Sequence, residues 1–400
     1  MSCFSRTFFS TAAAILCSLT FLIPGLIGNA IAEQSRSLDE NPVFTESEIR
    51  SIQSMGPWPV EIPQDPGNEL SGLSWAEVLG KQLFFNESLS ANGLISCASC
   101  HQPELGFSDG LDVSVGIDRH VRNSPGLFNI GLQRWFGWDG GTDSLWAASL
   151  RPLLSEIEMG GDIAGLAASL RKIPEVINAL EQHKPDSSAD DFADEDLLVF
   201  AAKAIGAYSR TLVSGPTPFD DFRVALVSND EEAQDHYPAS AKRGLKIFIS
   251  EATCRACHFG ANFSNGEFHD IGRPFFTGVG QVDPGRHSGI QRVKQDRYNL
   301  AGKFNGNNND NDAWKVETVT LGQVNFGQWR TPSLRNLTLT APYMHDGSLA
   351  TLRDVVDFYA DIDTSRLHAE GESILKPLQL DDNARQDLVN FLESLTPAKQ

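Results

Sequence analysis

The pattern that most constrains this chain is Cys-x-x-Cys-His, which occurs twice, at residues 97–101 and at residues 254–258. The spacing is typical of c-type haem attachment, because two thiols one helical turn apart can form thioethers with the two vinyl groups of one haem. The imidazole that follows then lies under the iron as its proximal ligand, which assigns His101 and His258. We therefore predict two covalently bound c-type haems, attached through Cys97, Cys100, Cys254 and Cys257.

Paired cysteines also occur in zinc sites and in thioredoxin-like dithiols. A zinc site would use all four thiolates and would leave both histidines unexplained. A redox dithiol needs no histidine at either place. The repeated motif therefore favours haem over both alternatives.

The first 32 residues predict a secretory signal. They carry one charge, Arg6, then a long apolar run, and they end in the small-residue cleavage pattern Ala30-Ile31-Ala32. An uncleaved anchor helix is the alternative, but Pro24 interrupts the span. We expect an exported, periplasmic protein with no membrane segment after the signal is removed. Its removal takes with it the two remaining cysteines, Cys3 and Cys17.

The charge balance restricts the partners. The chain has 32 basic and 52 acidic residues, a formal net charge of −20. Such a surface argues against nucleic acid or an anionic membrane as a partner. A basic protein or a neutral small molecule fits better.

The chain also contains an internal repeat. Similar segments, GKQLFF at residues 80–85 and GLKIF at residues 244–248, precede the two haem motifs, which lie 157 residues apart (254 − 97). A helix, then the haem motif, then loops and a closing helix is what a cytochrome c fold requires. We predict a mainly α chain with two tandem cytochrome c-like haem domains, residues 70–218 and 219–396, after an extended lead-in at residues 33–69.

Local patterns add four expectations. Helices are predicted over residues 164–183, with a break near Pro174, and over residues 196–212. The acidic stretch 184–195 between them predicts a solvated loop. The Asn- and Asp-rich run 305–312 predicts a second loop. Residues 74–77, with the sequence Ser-Trp-Ala-Glu, predict a capping box that opens a helix.

With these motifs in place, residues 70–396 resemble the bacterial di-haem cytochrome c peroxidase and MauG family. The resemblance implies an enzyme that reduces hydrogen peroxide at the first haem. Electrons would arrive through the second haem from a small donor protein, a cytochrome c or a cupredoxin. The resemblance to this family also rests on shorter segments: Arg122-Asn123-Ser124-Pro125, Trp138-Asp139-Gly140, Glu158-Met159, RTPSLRN at 330–336 and TAPYMHDG at 340–347.

The resemblance implies roles for Trp138 and Glu158. Trp138 would relay electrons between the haems; a buried core indole is the alternative. Glu158 lies 20 residues further along, at the family's spacing for the glutamate beside the peroxide site. A carboxylate in a water-poor pocket can move a proton between the two peroxide oxygens. The alternative is a surface glutamate, since Glu156 stands two residues away.

Tyr359 lies 14 residues beyond His345, where peroxidases of this family place a methionine ligand of the second haem and MauG-like members place a tyrosine. The resemblance therefore implies that Tyr359 is an axial iron ligand. A core tyrosine with a satisfied hydroxyl is the alternative, because Leu352, Val355 and Tyr359 fall on one helical face. Met344 is the other candidate ligand.

Two further features follow from the resemblance. Many members block the first iron with a loop histidine, but Gly116-Ile117 occupies that place here, so we expect an open first haem. His120 is the remaining candidate ligand on that loop. A calcium ion between the domains is implied by Asn123, Thr340 and Pro342, which offer one amide and two carbonyl oxygens.

Two alternatives to the peroxidase stay open. A MauG-like oxidase would use the same oxidising equivalents to modify Trp or Tyr residues of a protein substrate. Ala252 and Ala148 weaken this hypothesis, because they replace a tryptophan and a glutamine of MauG. The other class is a non-catalytic electron carrier with both irons closed.

Overall fold

The structure is a computed structural model that describes residues 41–185, 187–250, 254–273, 276–306, 310–366 and 374–398. The predicted signal at residues 1–32, with its two cysteines, lies outside these ranges, as do the start of the lead-in and Ala252. Across the described ranges, no helix is both long enough and apolar enough to cross a membrane.

The prediction of a mainly α chain is confirmed. The helices of the N-terminal half are α1 (Glu46–Gln53), α2 (Ser74–Phe84), α3 (Cys97–Cys100), α4 (Leu145–Leu154), α5 (Ile163–Leu170), α6 (Pro174–His183) and α7 (Asp194–Arg210). Those that follow are α8 (Pro218–Ser228), α9 (Glu231–Asp235), α10 (Ala239–Ser250), α11 (Arg286–Gln295), α12 (Asp310–Thr318), α13 (Leu352–Ala360) and α14 (Asp382–Glu393).

The strands are short and pair locally. β1 (Phe268–His269) pairs antiparallel with β4 (Trp329–Arg330), so that Phe268 lies opposite Arg330. β2 (Phe276–Gly278) pairs antiparallel with β3 (Gln281–Val282). The first ladder joins the chain that follows the second haem motif to the RTPSLRN segment.

The apolar side chains form two large clusters. The first is built from α2, α4, α5, α6 and α7 and includes the fully buried Trp146. The second is built mainly from α8, α10, α13 and α14 and includes the fully buried Phe219 and Phe391. Because α8 begins at Pro218, the chain passes from one cluster to the other near the predicted domain boundary. The division into two domains itself stays a prediction.

The two clusters repeat one helix crossing. In the first, α2 packs on α7, and a Cβ on Gly80 would overlap the carbonyl oxygen of Ala204. In the second, α10 packs on α14, and a Cβ on Gly244 would overlap the carbonyl oxygen of Asp387. The glycine shared by the two segments before the haem motifs thus lets one helix backbone lie directly on another.

Local predictions had mixed outcomes. The break near Pro174 is confirmed, since α5 ends at Leu170 and α6 begins at Pro174. The capping box at residues 74–77 is wrong: Leu73 is the N-cap of α2, and no side chain caps that end. The loop predicted at 305–312 is partly wrong, because α12 begins at Asp310.

The lead-in is not wholly extended. Thr45 and Glu48 form a capping box that opens α1, and this satisfies backbone N–H groups that the helix leaves unpaired. Ile52 and Met55 are fully buried in the second cluster, although they precede the first haem motif. The chain then enters the first cluster at Leu70, just after the lead-in ends. The lead-in therefore contributes to the second core.

We predict that Gly244→Ala lowers the free energy of unfolding by about 1–3 kcal/mol, because the new methyl group overpacks the α10–α14 crossing. Helix propensity alone predicts the opposite sign, a gain of about 1 kcal/mol. Gly215→Ala is the matched control, since no atom lies within 4 Å of a Cβ at that position. Chemical denaturation measures both, and a Gly244→Ala variant as stable as the parent would contradict the crossing.

Candidate active site

Each haem motif opens onto its own cavity. Cys97, Cys100 and His101 line one of about 220 Å³, called here the first cavity. Cys254, Cys257 and His258 line another of about 240 Å³, the second cavity. A four-thiolate zinc centre is therefore excluded, because the two cysteine pairs face different cavities.

The two motif histidines are oriented in the same way. His101 Nδ1 lies 2.8 Å from the carbonyl oxygen of Phe107, and His258 Nδ1 lies 2.9 Å from that of Phe263. A carbonyl oxygen only accepts, so Nδ1 carries the proton and Nε2 keeps the lone pair that an iron ligand needs. Burial lowers the pKa of His258 to about 4, which keeps its ring neutral.

The carbonyls that hold these rings come from an uncommon backbone conformation. Phe107 has φ +61° and Phe263 has φ +49°, in the left-handed region that bulky residues rarely adopt. Both rings are buried, Phe107 in the first cluster and Phe263 in the second, and packing there compensates the strain.

Burial holds three of the four motif thiols in the neutral form. Burial raises the pKa of Cys97 and of Cys254 to about 12, and that of Cys100 to about 11. None of the four cysteines forms a disulfide, and all four are partly buried. Neutral thiols held beside a cavity suit thioether formation and do not suit a redox dithiol, which needs an accessible thiolate.

The first cavity has a polar wall opposite the motif. Glu158 Oε1 lies 3.7 Å from His120 Nε2 and 3.6 Å from Arg151 Nη2. All three side chains line the cavity, as do Met159 and Ala148. The cavity wall thus carries a carboxylate between two side chains whose N–H groups face it.

Trp138 lines both cavities, together with Asn123 and Pro125. Its indole N–H donates to the carbonyl of Asn123 at 2.9 Å, and its own carbonyl accepts from the backbone N–H of Arg330 at 2.9 Å. These two hydrogen bonds, one from the indole and one to the backbone carbonyl of the same residue, hold Trp138 beside both candidate haem sites.

Tyr359 on α13 lines the second cavity with both thiols of its motif. Within the described ranges, no group lies within hydrogen-bond distance of its hydroxyl. Burial raises the pKa of Tyr359, and the nearby thiols act in the same direction. A phenolate there would need a cation beside it. A core tyrosine with a satisfied hydroxyl, the alternative from the sequence, does not match this environment.

The second cavity also contains a buried cation. Arg330 is 4% exposed, and among the residues that the structure describes no carboxylate lies within ion-pair distance of its guanidinium. Its Nε donates to the carbonyl of Gly137 at 3.2 Å, and burial lowers its pKa to about 10. A buried charge normally has a counter-charge. The anionic propionates of a haem would supply one, so this cavity fits the predicted cofactor.

A network of buried ion pairs lies beside the cavities and is centred on Asp139. The Asp139 carboxylate is fully buried and lies 2.8 Å from both Arg122 and Arg292. Arg122 also forms a bidentate pair with Asp283 at 2.7 and 2.8 Å. Burial would raise the pKa of Asp139, but the guanidinium groups hold it well below its ordinary value.

The predicted calcium ligands lie near one another in the fold, since Asn123, Thr340 and Pro342 all line the second cavity. Asn123 Nδ2 donates to the carbonyl of Leu111 at 2.8 Å, so this hydrogen bond does not use Oδ1, the atom predicted to bind calcium. Met344, the alternative iron ligand, lines the same cavity with φ +74°.

Several residues of the two cavities were missed from the sequence. Arg151 gave no signal, because an arginine within an ordinary helix is not distinctive, and Arg330 was noted only as part of the RTPSLRN segment, without a role. Trp329 and His345 stack with 3.6 Å between ring centroids beside the second cavity. His345 belongs to a quoted motif, but only the fold shows its partner.

Comparisons with known proteins agree with this geometry. The family described as "Di-haem cytochrome c peroxidase" matches residues 75–226. The chain is 33% identical to the Cytochrome-c peroxidase IdrP1 of Pseudomonas sp. (strain SCT), over 84% of each chain. It is 31% identical to the Methylamine utilization protein MauG of Methylorubrum extorquens, over 96% of this chain and 93% of that protein. A solved MauG-like protein associated with microbial copper homeostasis matches with a TM-score of 0.62 and 25% identity, over 86% of this chain and 96% of that one.

We predict that Asp139→Asn lowers the free energy of unfolding by about 3 kcal/mol, because Arg122 and Arg292 lose a buried counter-charge. The contribution is present above the ordinary Asp pKa of about 3.9 and is lost as the pH falls, since the folded state lowers that pKa. Asp112→Asn is the control, because its ion pair with Arg119 is exposed. Denaturation at pH 7 and pH 3 measures both; equal losses in the two variants would contradict the prediction.

Proposed function

Because this chain belongs to the family of di-haem cytochrome c peroxidases and MauG proteins, we propose that it reduces hydrogen peroxide to water at the first site. The electrons would reach that site through the second. The observation that carries the proposal is the contrast between the cavities. The first has the Glu158 carboxylate flanked by His120 and Arg151, the second has Tyr359 and a buried cation, and Trp138 lines both.

We propose covalent attachment of both haems through the four motif cysteines, with His101 and His258 as proximal ligands. When bound, the haems supply the iron that cleaves peroxide and the porphyrins that carry electrons. The chain's own contribution is to hold each imidazole with Nε2 unprotonated, through the Phe107 and Phe263 carbonyls.

Glu158 is the proton-transfer residue of this proposal. Peroxide must move a proton from its inner to its outer oxygen before the O–O bond breaks to give water. The Glu158 carboxylate can take that proton and return it, because it faces the first cavity and is only 25% exposed. Two electrons and two protons complete the reduction of one peroxide to two waters.

Trp138 is the proposed electron relay. Its N–H donates to an amide carbonyl, which is too weak a base to remove the proton when the indole loses an electron. The indole can therefore be oxidised and reduced without an accompanying proton transfer. This suits a relay that must return to its starting state in every cycle.

Tyr359 is the proposed axial ligand of the second iron. Among the described residues its hydroxyl has no hydrogen-bond partner, and burial raises its pKa, so a cation bound beside it would favour the phenolate. A phenolate is a hard anionic ligand and favours high-valent iron, whereas a thioether raises the reduction potential. The second site would then share oxidising equivalents with the first.

Three finer features belong to the same proposal. We propose export to the periplasm after cleavage of the signal at residues 1–32. The electron donor would be a small basic protein such as a cytochrome c or a cupredoxin, since the net charge of −20 favours a basic partner. A calcium ion would bind Asn123, Thr340 and Pro342.

A MauG-like oxidase that modifies Trp or Tyr residues of a protein substrate is the second candidate. Tyr359 favours it, as does the 96% coverage in the comparison with MauG. Ala148, which lines the first cavity where MauG has a glutamine, counts against it.

The test begins with the spin state of the ferric protein. Electron paramagnetic resonance should show one high-spin and one low-spin haem, whereas two low-spin haems would favour an electron carrier. Steady turnover of peroxide with a reduced small cytochrome supports the peroxidase. Absence of turnover, together with a two-electron-oxidised state that persists for minutes, would favour the MauG-like oxidase.

We predict that Glu158→Gln slows the reaction with peroxide about 100-fold without loosening haem attachment, because the amide cannot take the proton. Glu156→Gln is the matched control, since Glu156 is exposed two residues away. Stopped-flow absorbance gives the rate constant, and a pyridine haemochrome assay gives the haem content. An unchanged rate in Glu158→Gln would remove this residue from the mechanism.

We predict that Tyr359→Met raises the reduction potential of the second haem by roughly 0.1 V or more, since axial ligands tune haem potentials over about 0.8 V. Tyr343→Phe is the control, because Tyr343 lines the same cavity but its hydroxyl donates to the carbonyl of Leu337 at 2.9 Å. Spectroelectrochemistry measures both variants. A potential that stays at the parent value in Tyr359→Met would dismiss the ligand assignment.

A further inference from the structure

His120 has a fixed tautomer. The backbone N–H of Arg122 donates to its Nδ1 at 2.9 Å. Because a backbone N–H can only donate, Nδ1 must hold a lone pair, and the single proton of the neutral ring lies on Nε2. This is the reverse of the arrangement in His101, whose Nδ1 faces a carbonyl. One ring is therefore built to offer a lone pair at Nε2, and the other to offer a proton there.

The Nε2 of His120 is the atom that faces Glu158. It lies 3.7 Å from Glu158 Oε1, which is an ion-pair distance and slightly too long for a hydrogen bond. The two side chains are 18% and 25% exposed and line the same cavity. Such contacts commonly shorten when substrate fills an active site.

The loop that carries His120 is attached to the segment that carries Glu158. The N–H of Ile117 donates to the carbonyl of Glu158 at 2.9 Å, and that of Asp118 donates to the carbonyl of Ile157 at 3.0 Å. A Cβ on Gly116 would overlap the Glu158 carbonyl oxygen, so only glycine allows this approach. His120 therefore does not belong to a free solvent loop, and its position relative to the carboxylate is fixed.

Burial is the main reason that the ring of His120 is neutral. Burial lowers the pKa of His120, Glu158 and Asp283 oppose that change, and Arg122 and Arg151 add to it. A second proton could enter only at Nδ1, where the Arg122 N–H already points. Neutral His120 is thus a donor toward Glu158 and has no free lone pair for iron.

We infer that His120 is a positioning residue for Glu158: its Nε2–H holds the carboxylate in the orientation in which it takes and returns the peroxide proton. The inference rests on the proposed peroxidase function and names a further residue of that same site. Arg151, 3.6 Å from the same oxygen, holds the carboxylate from the other side.

The test compares His120→Leu, which has no donor, with His120→Gln, whose amide keeps an N–H but cannot replace the imidazole as an acid or base. His236→Gln is the matched control, since that histidine is exposed after α9. In the holoenzyme, the rate constant with peroxide should fall about tenfold in His120→Leu, as expected when a charged group loses one hydrogen bond. His120→Gln should restore most of the rate.

Two readouts separate positioning from a merely structural role. The acid limb of the pH–rate profile should move to higher pH in His120→Leu, because the carboxylate loses a donor that favours its charged form. The high-spin signal of the first haem should be the same in the parent and in all three variants.

The outcomes distinguish this inference from the proposed function. Full rate and an unmoved pH profile in His120→Leu, beside a slow Glu158→Gln, would overturn the inference alone. Equal losses in the Leu and Gln variants would also overturn it, because a donated hydrogen bond would then not be the cause. A low-spin first haem that becomes high-spin in His120→Leu would make His120 an iron ligand instead. A parent protein that does not react with peroxide would overturn the proposed function itself.

Discussion

The buried carboxylate of Asp139 is the interaction on which the arrangement of the two sites depends. It joins Arg122, from the loop after the first haem motif, to Arg292 on α11. A charge at that depth is stable only with its partners, so the segments that carry them cannot separate without leaving a buried ion unpaired. Trp138 is the residue immediately before it, and its indole is fixed by the carbonyl of Asn123, the residue immediately after Arg122. The network therefore holds the indole where both cavities meet.

The two halves of the chain share two local structural features. In each half, a glycine lets the helix before the haem motif lie on a later helix, and a phenylalanine with positive φ presents its carbonyl to the motif histidine. The first feature could be predicted, because the glycine is part of a visible repeat. The second could not, since a left-handed phenylalanine is a response to packing and no sequence pattern encodes it.

Secondary structure could be predicted where one local sequence signal dominates. The predictions failed where contacts between distant residues determine the structure. The break at Pro174 follows from one residue. The helix α1 was missed although Thr45-x-x-Glu48 is a capping box, because the segment around it is rich in proline and acid. Its role was not predictable at all, since Ile52 and Met55 complete a core whose other members lie more than 160 residues later. The motif cysteines and histidines were accessible from spacing alone, whereas Arg151, Arg330 and the pairing of His120 with Glu158 depend on the fold.

The two cavities therefore differ in the chemical groups that line them. The first has the Glu158 carboxylate beside His120 and Arg151, so it contains a group that can take up and return a proton. The second contains aromatic rings, a phenol without a hydrogen-bond partner within the described chain, and the cation of Arg330, so it can stabilise negative charge on a ligand. Oxygen–oxygen cleavage needs protons at the place where the bond breaks, whereas electron storage does not. Because Trp138 lines both cavities and its N–H donates to an amide carbonyl, the proposed coupling between the sites is a transfer of electrons without an accompanying proton.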